Sequence, residues 1–221
     1  MRIPDDWSFE SVEISTAFDR HVRSQLPWYE LATGMVSHIA RHYIPIKGTV
    51  LDIGCSTGNI GNALNPTISS RGAKLIPIES SVEMSKLYAG PQPENLIVDD
   101  VCQIEIPRFD VAICFLVLMF LPVEQRRNLL ATLRRNMKPG GAIIVFDKFE
   151  SPAGYIGTVM WRLALAGKVA QGVDPTDIIS KELSLMGSQR PLYRNETEDM
   201  EQVFQFGNFA GWVLENSCEL K

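Results

Sequence analysis

The chain has little of what several large functional classes require. Its three histidines and four cysteines are too few and too scattered for a zinc cage or a disulfide framework. Cys55, Cys102, Cys114 and Cys218 form no CxxC pair, and the middle two fall in apolar stretches that read as buried strands. No metal site is expected. No apolar run reaches the ~18 residues needed to cross a bilayer, and the polar start Met1-Arg2-Ile3-Pro4-Asp5-Asp6 lacks the apolar stretch of a secretion signal, so a cytoplasmic protein with no membrane partner is expected. Positive charge is in deficit: 21 Lys and Arg against 26 Asp and Glu leave a net charge of -5 and a pI near 5.3. Such a surface does not attract a phosphate backbone, which argues against direct nucleic-acid binding and for a small-molecule substrate. Neither an internal repeat nor a low-complexity tract is present. At 221 residues, 45% hydrophobic and 21% charged, the chain suits one α/β domain with a sizeable core.

Its most informative stretch is residues 50–61, VLDIGCSTGNIG: an apolar strand ending in Asp52, a glycine-bearing turn, and the start of a helix. Gly54 and Gly58 let the backbone turn sharply and pass close to a ligand, which a side chain at either position would obstruct. The adenosyl end of S-adenosylmethionine (SAM) fits such a turn. Gly54, Gly58 and Gly61 are spaced G-x-x-x-G-x-x-G, so the dinucleotide pattern G-x-G-x-x-G is excluded, and the missing Gly-Lys-Ser/Thr excludes a P-loop.

After residue 48 strand and helix patterns alternate, which predicts a parallel sheet with crossover helices. Strands are expected at 49–53, 74–79, 95–98, 109–116 and 142–147, with helices beginning near Gly58, Ser81 and Pro122. Lys138-Pro139-Gly140-Gly141 stops the last of these helices. A hairpin of 203–206 and 211–214 is expected around Gly207-Asn208. Residues 1–47, with helices broken near Pro27, and residues 151–200, helical through 151–186 but weakened by glycines, form a helical cap and a helical insertion. The nucleotide-binding core is 48–150 and the closing hairpin 201–216.

Ligands of open parallel sheets lie beyond the carboxyl ends of the strands. Glu79 ends the second expected strand, where a carboxylate accepts both hydrogen bonds of a ribose diol; a solvated loop carboxylate is the plainer alternative. Asp99 and Asp100 follow the third, and Asp100 is favoured to accept the adenine amino proton, with the Val101 amide facing the ring; Asp100 equally suits a turn or a helix N-cap. Asp52 is placed to order the glycine turn and meet an ammonium group. Phe115 ends the fourth strand beside the expected methionine tail, although Phe115, Leu116 and Met119 suit a core as well. His21, Tyr29, Asp147 and Lys148 are candidates for a general base, with no catalytic residue assigned.

These segments resemble the class I SAM-dependent methyltransferases, through VLDIGCSTGNIG, IPIESSVEM (76–84), VDDV (98–101) and KPGGAIIVFDKF (138–149). Within them the chain is similar to the carboxy-SAM synthases of the tRNA wobble-uridine pathway, which make carboxy-SAM from SAM and prephenate. The likeness runs through 18–29, FLPVEQRRNLL (120–130), Asp147-Lys148-Phe149, Ile179-Ser180-Lys181 and FQFGNFAGW (204–212), over roughly residues 14–214. The resemblance implies a Rossmann-like class I methyltransferase fold: a mostly parallel seven-stranded sheet with a C-terminal antiparallel hairpin and a helical cap. It implies SAM, or carboxy-SAM, held by Asp52, Gly54, Cys55, Ser56, Gly58, Glu79, Ser80, Met84, Asp100, Val101 and Phe115, and substrate contacts from Arg23, Tyr29 and Arg190. A homodimer is a further expectation from this branch.

Three departures separate the chain from those synthases. Where they carry a carboxylate-binding arginine the simplest alignment gives Leu183, and where they carry asparagine it gives Phe115. Residues 190–202 are too short for the helix expected before the sixth strand, which leaves one flank for a partner, a dimer surface or a compact loop. The first reading is therefore methyl transfer from SAM to a small molecule or modified nucleoside. Carboxy-SAM synthesis with a relocated arginine, and a non-catalytic SAM-binding subunit, are the alternatives.

Overall fold

The computed structural model describes residues 7–150 and 153–217, so Met1 to Asp6 and Cys218 lie outside the described residues, as does the start of the helical stretch expected at 151. Two helices lead in, α1 (Val12–Gln25) and α2 (Tyr29–Ala40), parted at Pro27, which lacks the amide proton that would continue the first helix. Ser11 starts α1 by accepting a hydrogen bond from the Ile14 amide. Next come β1 (Thr49–Ile53), α3 (Asn59–Arg71), β2 (Lys74–Glu79), the single turn α4 (Val82–Ser85), β3 (Ile97–Val98) and β4 (Phe109–Phe115). The chain continues through α5 (Val123–Asn136), β5 (Met137–Lys148), α6 (Tyr155–Ala170), α7 (Pro175–Ser184), β6 (Glu201–Phe206) and β7 (Phe209–Glu215).

The seven strands form one sheet in the order β3-β2-β1-β4-β5-β7-β6. β1 to β5 run parallel to one another, and β7 is antiparallel to both β5 and β6. All of β4 is buried, as a central strand covered on both faces must be. Alternation along the strands sorts the core into two layers. Val50 points to the side packed by Val36 and Leu64 of α2 and α3, while Leu51 and Ile53 point to the side packed by Leu130 and Leu133 of α5. Helices leaving β1 and β4 thus lie on opposite faces, and a crevice opens at the carboxyl ends of those strands.

Several boundaries differ from the expectations, each for a local reason. The third strand is only Ile97–Val98, because residues 93–95, led by a proline, coil into one 3-10 turn. The helix expected at Ser81 lasts one turn. β5 is longer than 142–147: Lys138-Pro139-Gly140-Gly141 ends α5 and also begins the strand, and the irregularity shows as a register shift between Phe109 and Val111. The stretch through 186 is two helices, separated at Gly172, whose φ of +82° breaks the first, and Asp174, which caps the second. The hairpin is longer than expected, but its turn is Gly207-Asn208. A Cβ at Gly207 would lie 2.9 Å from Ala164 Cβ, so glycine lets this turn press against α6.

The short 190–202 segment is a compact loop. Arg126 of α5, fully buried, donates to both Glu196 oxygens at 2.8 and 2.6 Å and to the carbonyls of Arg190 and Pro191 at 2.8 and 3.0 Å. Leu192 and Met200 fill the space beneath, so an ion-paired loop replaces a helix on this flank.

Candidate functional site

At the end of β1 the chain makes three successive departures from ordinary backbone. Gly54 has φ +68°, Ser56 φ +51° and Gly58 φ +96°. β2 holds this turn: the Gly54 and Cys55 amides donate to Ile78 O at 2.9 and 3.0 Å, and the Ser56 amide donates to Glu79 Oε2 at 2.9 Å. Glu79 Oε1 accepts from the Ser81 amide at 2.9 Å, so one carboxylate fastens the glycine turn to the end of its neighbouring strand. Burial raises the Glu79 pKa, opposed by these same amides. Each of its oxygens retains a lone pair for a ligand.

A cavity of about 340 Å³ opens beside this turn, within the range of small-molecule sites. Of the residues expected to bind cofactor, Gly54, Cys55, Ser56, Glu79, Ser80, Met84 and Phe115 line it, and so does Tyr29. Phe115 packs edge-on to Tyr29, with ring centroids 5.4 Å apart. The following residue, Leu116, also on the wall, has φ +60°, a strained conformation for a bulky side chain. Its amide donates to Phe146 O at 2.7 Å, which holds the strain in place. Burial raises the pKa of the Tyr29 hydroxyl and of the Cys55 thiol, so neither ionises readily.

Six other expected residues are not on the cavity wall. Asp52 is buried behind the turn, where it accepts from the Gly61 amide near the start of α3; burial lifts its pKa to about 7. It orders the turn, as expected, without reaching the lining where an ammonium group would be met. Gly58 is required by its own chain: a Cβ there would lie 2.5 Å from Gly90 N, so the clash is with backbone of the 88–90 loop and not with ligand space. At Gly54, which does line the cavity, a Cβ would meet Val117 Cγ2 at 2.6 Å. Asp100 serves a turn, accepting from the Cys102 amide at 2.9 Å, and Val101 is buried in the core near Ile78 and Ile106. Arg23 is occupied by Glu30 at 2.6 Å and Asn59 at 3.0 Å and lies over the Tyr29 ring, bracing the wall from outside. The Arg190 backbone joins Met119 O and Arg126, and its side chain does not reach the cavity. Leu183 is 55% exposed on α7, and among the described residues no arginine lines the cavity.

Of the candidate bases, His21, Tyr29 and Lys148 are on the wall, whereas Asp147 is not. Asp147 is buried and accepts from the amides of Leu118, Met119 and Lys148 at 2.7, 3.3 and 2.8 Å, shaping the cavity floor; burial raises its pKa to about 7.

The cap end of the cavity holds residues that motif spacing did not single out. Trp7 and Phe9 cross it, tied down by the Trp7 amide donating to Ser184 O at 3.2 Å and the Ser81 hydroxyl donating to Phe9 O at 2.8 Å. Lys148 from β5, Lys168 from α6, and Lys181 and Glu182 from α7 converge there with Gln189. Lys148 Nζ donates to Gln189 Oε1 at 2.7 Å and lies 3.5 Å from Glu182 Oε2, while Lys168 Nζ lies 3.2 Å from Glu182 Oε1. The Lys181 ammonium sits over the Trp7 ring. Burial, then repulsion from Lys168, lowers the Lys181 pKa to about 5; burial also lowers Lys148. Burial alone would raise Glu182, but Lys148 and Lys168 outweigh it and hold the carboxyl below its usual range. Burial and Lys181 together lower His21 to about 4. Lys168 and Lys181 lie on α6 and α7, and the packing of those helices turns both toward the cavity.

Comparison with known proteins agrees with this geometry. A family model described as "Methyltransferase domain" matches residues 50–141. The carboxy-S-adenosyl-L-methionine synthase of Staphylococcus epidermidis is 24% identical over 222 residues, covering 95% of this chain and 97% of that protein. The protein of the same name from Shigella boydii is 25% identical, over 94% and 90%. Among solved structures, the plantazolicin methyltransferase BpumL in complex with SAH superposes with TM-score 0.58 at 17% identity, covering 92% of this chain and 89% of that one. Human N-acetylserotonin methyltransferase in complex with SAM gives TM-score 0.56 at 12% identity, covering 95% and 58%. At such identities the structural matches speak for the fold.

Proposed function

We propose that the chain is a class I SAM-dependent methyltransferase that transfers the methyl group of SAM to a small molecule or modified nucleoside, a reading supported by the methyltransferase-domain model matching residues 50–141. The observation that carries this reading is Glu79, whose carboxylate is held at the cavity wall by two backbone amides with lone pairs to spare for a ribose diol. Ser56, also on the wall, keeps a buried hydroxyl with no protein partner, ready for a polar atom of the ligand. In this reading the methionine end lies along Gly54, Cys55 and Leu116. The aromatic wall of Tyr29 and Phe115, with Trp7 and Phe9 as cover, excludes water.

Bound SAM supplies a methyl group on a sulfonium, reactive toward in-line attack. The chain's task is to align the acceptor and keep the site dry. In this reading α1, α2, α6 and α7, with Trp7 and Phe9, perform both. Cytoplasmic residence and a homodimer complete the proposal, the second open to light scattering on the purified chain.

Carboxy-SAM synthesis is the second reading, supported by relatives that span nearly the whole chain. The exposed Leu183 and the absence of an arginine from the cavity wall among the described residues weigh against it, since an aliphatic side chain cannot offer a carboxylate the paired hydrogen bonds of a guanidinium. Mass spectrometry of nucleotide extracted from the purified protein separates the two: SAM or SAH supports methyl transfer, carboxy-SAM the second reading. Calorimetry tests the common ground. SAH should bind and Glu79→Gln should weaken it; if the unaltered protein takes up no SAH, both readings fail.

A further inference from the structure

We propose that the cap end of the cavity is an anion-binding subsite built by Lys148, Lys168 and Lys181, and that the second substrate carries a carboxylate or phosphate group there. The inference rests on the reading that SAM occupies the Glu79 end.

Charge balance is the first argument. Three lysines share one carboxylate, Glu182, which already contacts both Lys148 and Lys168. Lys181 has no acidic partner among the described residues and rests against an aromatic face. The Lys148 and Lys168 side chains are only 13% and 11% exposed. Buried charge is ordinarily paired, so a cavity end carrying three lysines against one glutamate is incomplete without an anion.

The second argument comes from hydrogen bonding on the same wall. His21 Nε2 and Gln25 Oε1, both from α1, are buried without protein partners. Gln25 Oε1 is an acceptor suited to a ligand hydroxyl, and a neutral His21 can present Nε2 as donor or acceptor. Burial is the main cause of the depressed pKa values of His21 and Lys181, with repulsion from neighbouring lysines adding to it, and an entering anion opposes both. The nearest other acid on the lining, Glu79, is committed to the turn at the opposite end. Among the described residues, the polar and charged groups lining this end are Trp7, His21 and Gln25 from the N-terminal side, Lys148 from β5, Lys168 from α6, Lys181 and Glu182 from α7, and Gln189 beyond it. Their sum favours an anion, with the reacting atom reaching from there toward the sulfonium.

The test is calorimetry on the full chain saturated with SAH, titrated separately with malonate, inorganic phosphate and uncharged malonamide. Malonate or phosphate should bind and malonamide should not, the stronger arm naming carboxylate or phosphate as the group. Lys168→Met and Lys181→Met should each weaken the anion by at least about tenfold while SAH affinity stays within about twofold, and Lys168→Arg should restore binding. Binding of neither anion, or equal binding to the Lys→Met variants, overturns the proposal. Should SAH itself fail to bind, the cofactor reading falls instead. The anion titration of the ligand-free chain then decides the subsite by the same comparison of variants.

Discussion

Replacing Arg126 by methionine probes the loop that stands in for a helix beside β7. The guanidinium is fully buried and makes four hydrogen bonds, two to Glu196 and one each to the carbonyls of Arg190 and Pro191. Methionine preserves much of the volume but leaves the Glu196 carboxylate, 5% exposed, without its charge partner. Arg127 cannot take over, because its Nε stands 3.8 Å away on a half-exposed side chain. Removing one partner of a buried ion pair costs about 3–5 kcal/mol, and that is the expected loss for Arg126→Met. Adding Glu196→Leu removes the stranded charge, so the double variant should regain at least about half of the loss despite two unsatisfied carbonyls. Urea unfolding followed by tryptophan fluorescence reads both, with an unchanged slope showing that only stability moved. A single-variant loss under about 1 kcal/mol, or a double variant no more stable than the single, would refute the claim that this pair fastens residues 190–196 to α5.

Three further outcomes follow from the geometry. Asp52 and Asp147 each have pKa values raised by burial from 3.8 to about 7, so between those pH values the folded chain holds protons that the unfolded chain has released. Their contribution is full below pH ~4 and is lost as pH rises through ~7, so Asp52→Asn or Asp147→Asn should flatten the stability-pH curve there by up to ~1.4 kcal/mol per pH unit; a difference curve without slope in that window would count against it. Gly58→Ala forces a Cβ to within 2.5 Å of Gly90 N at φ +96°, and should cost more than ~2 kcal/mol in thermal unfolding and weaken SAH binding by distorting the turn. Asp100→Ala should leave SAH affinity within about twofold, because Asp100 lies off the cavity wall and holds a turn; a loss of ~1–3 kcal/mol in calorimetry would return it to the adenine edge.

Sequence alone determined the alternation of strands and helices, the hairpin around Gly207-Asn208, and a glycine turn after β1 with Glu79 opposite it. These rest on short-range physics: apolar periodicity, chain breakers, and an acid at a strand end that must sit beside its parallel neighbour. Strand ends also told where a cavity would open, and Ser56, Met84 and Phe115 line it. Tertiary structure decided the rest. Asp100 and Val101 follow a strand in the expected pattern, yet a two-residue β3 and a tight turn direct one to its own backbone and the other to the core. Gly58 was legible as obligatory but not for its reason, since the 88–90 loop that crowds it is distant in sequence. Lys168 carries no motif and Lys181, although within the Ile179-Ser180-Lys181 match, had no role assigned, because a lysine on a helix is buried or solvated according to what packs against it. Here Trp7 and Phe9 from one end of the chain meet α6 and α7 from the other, and that long-range closure alone turns surface charge into the wall of a site.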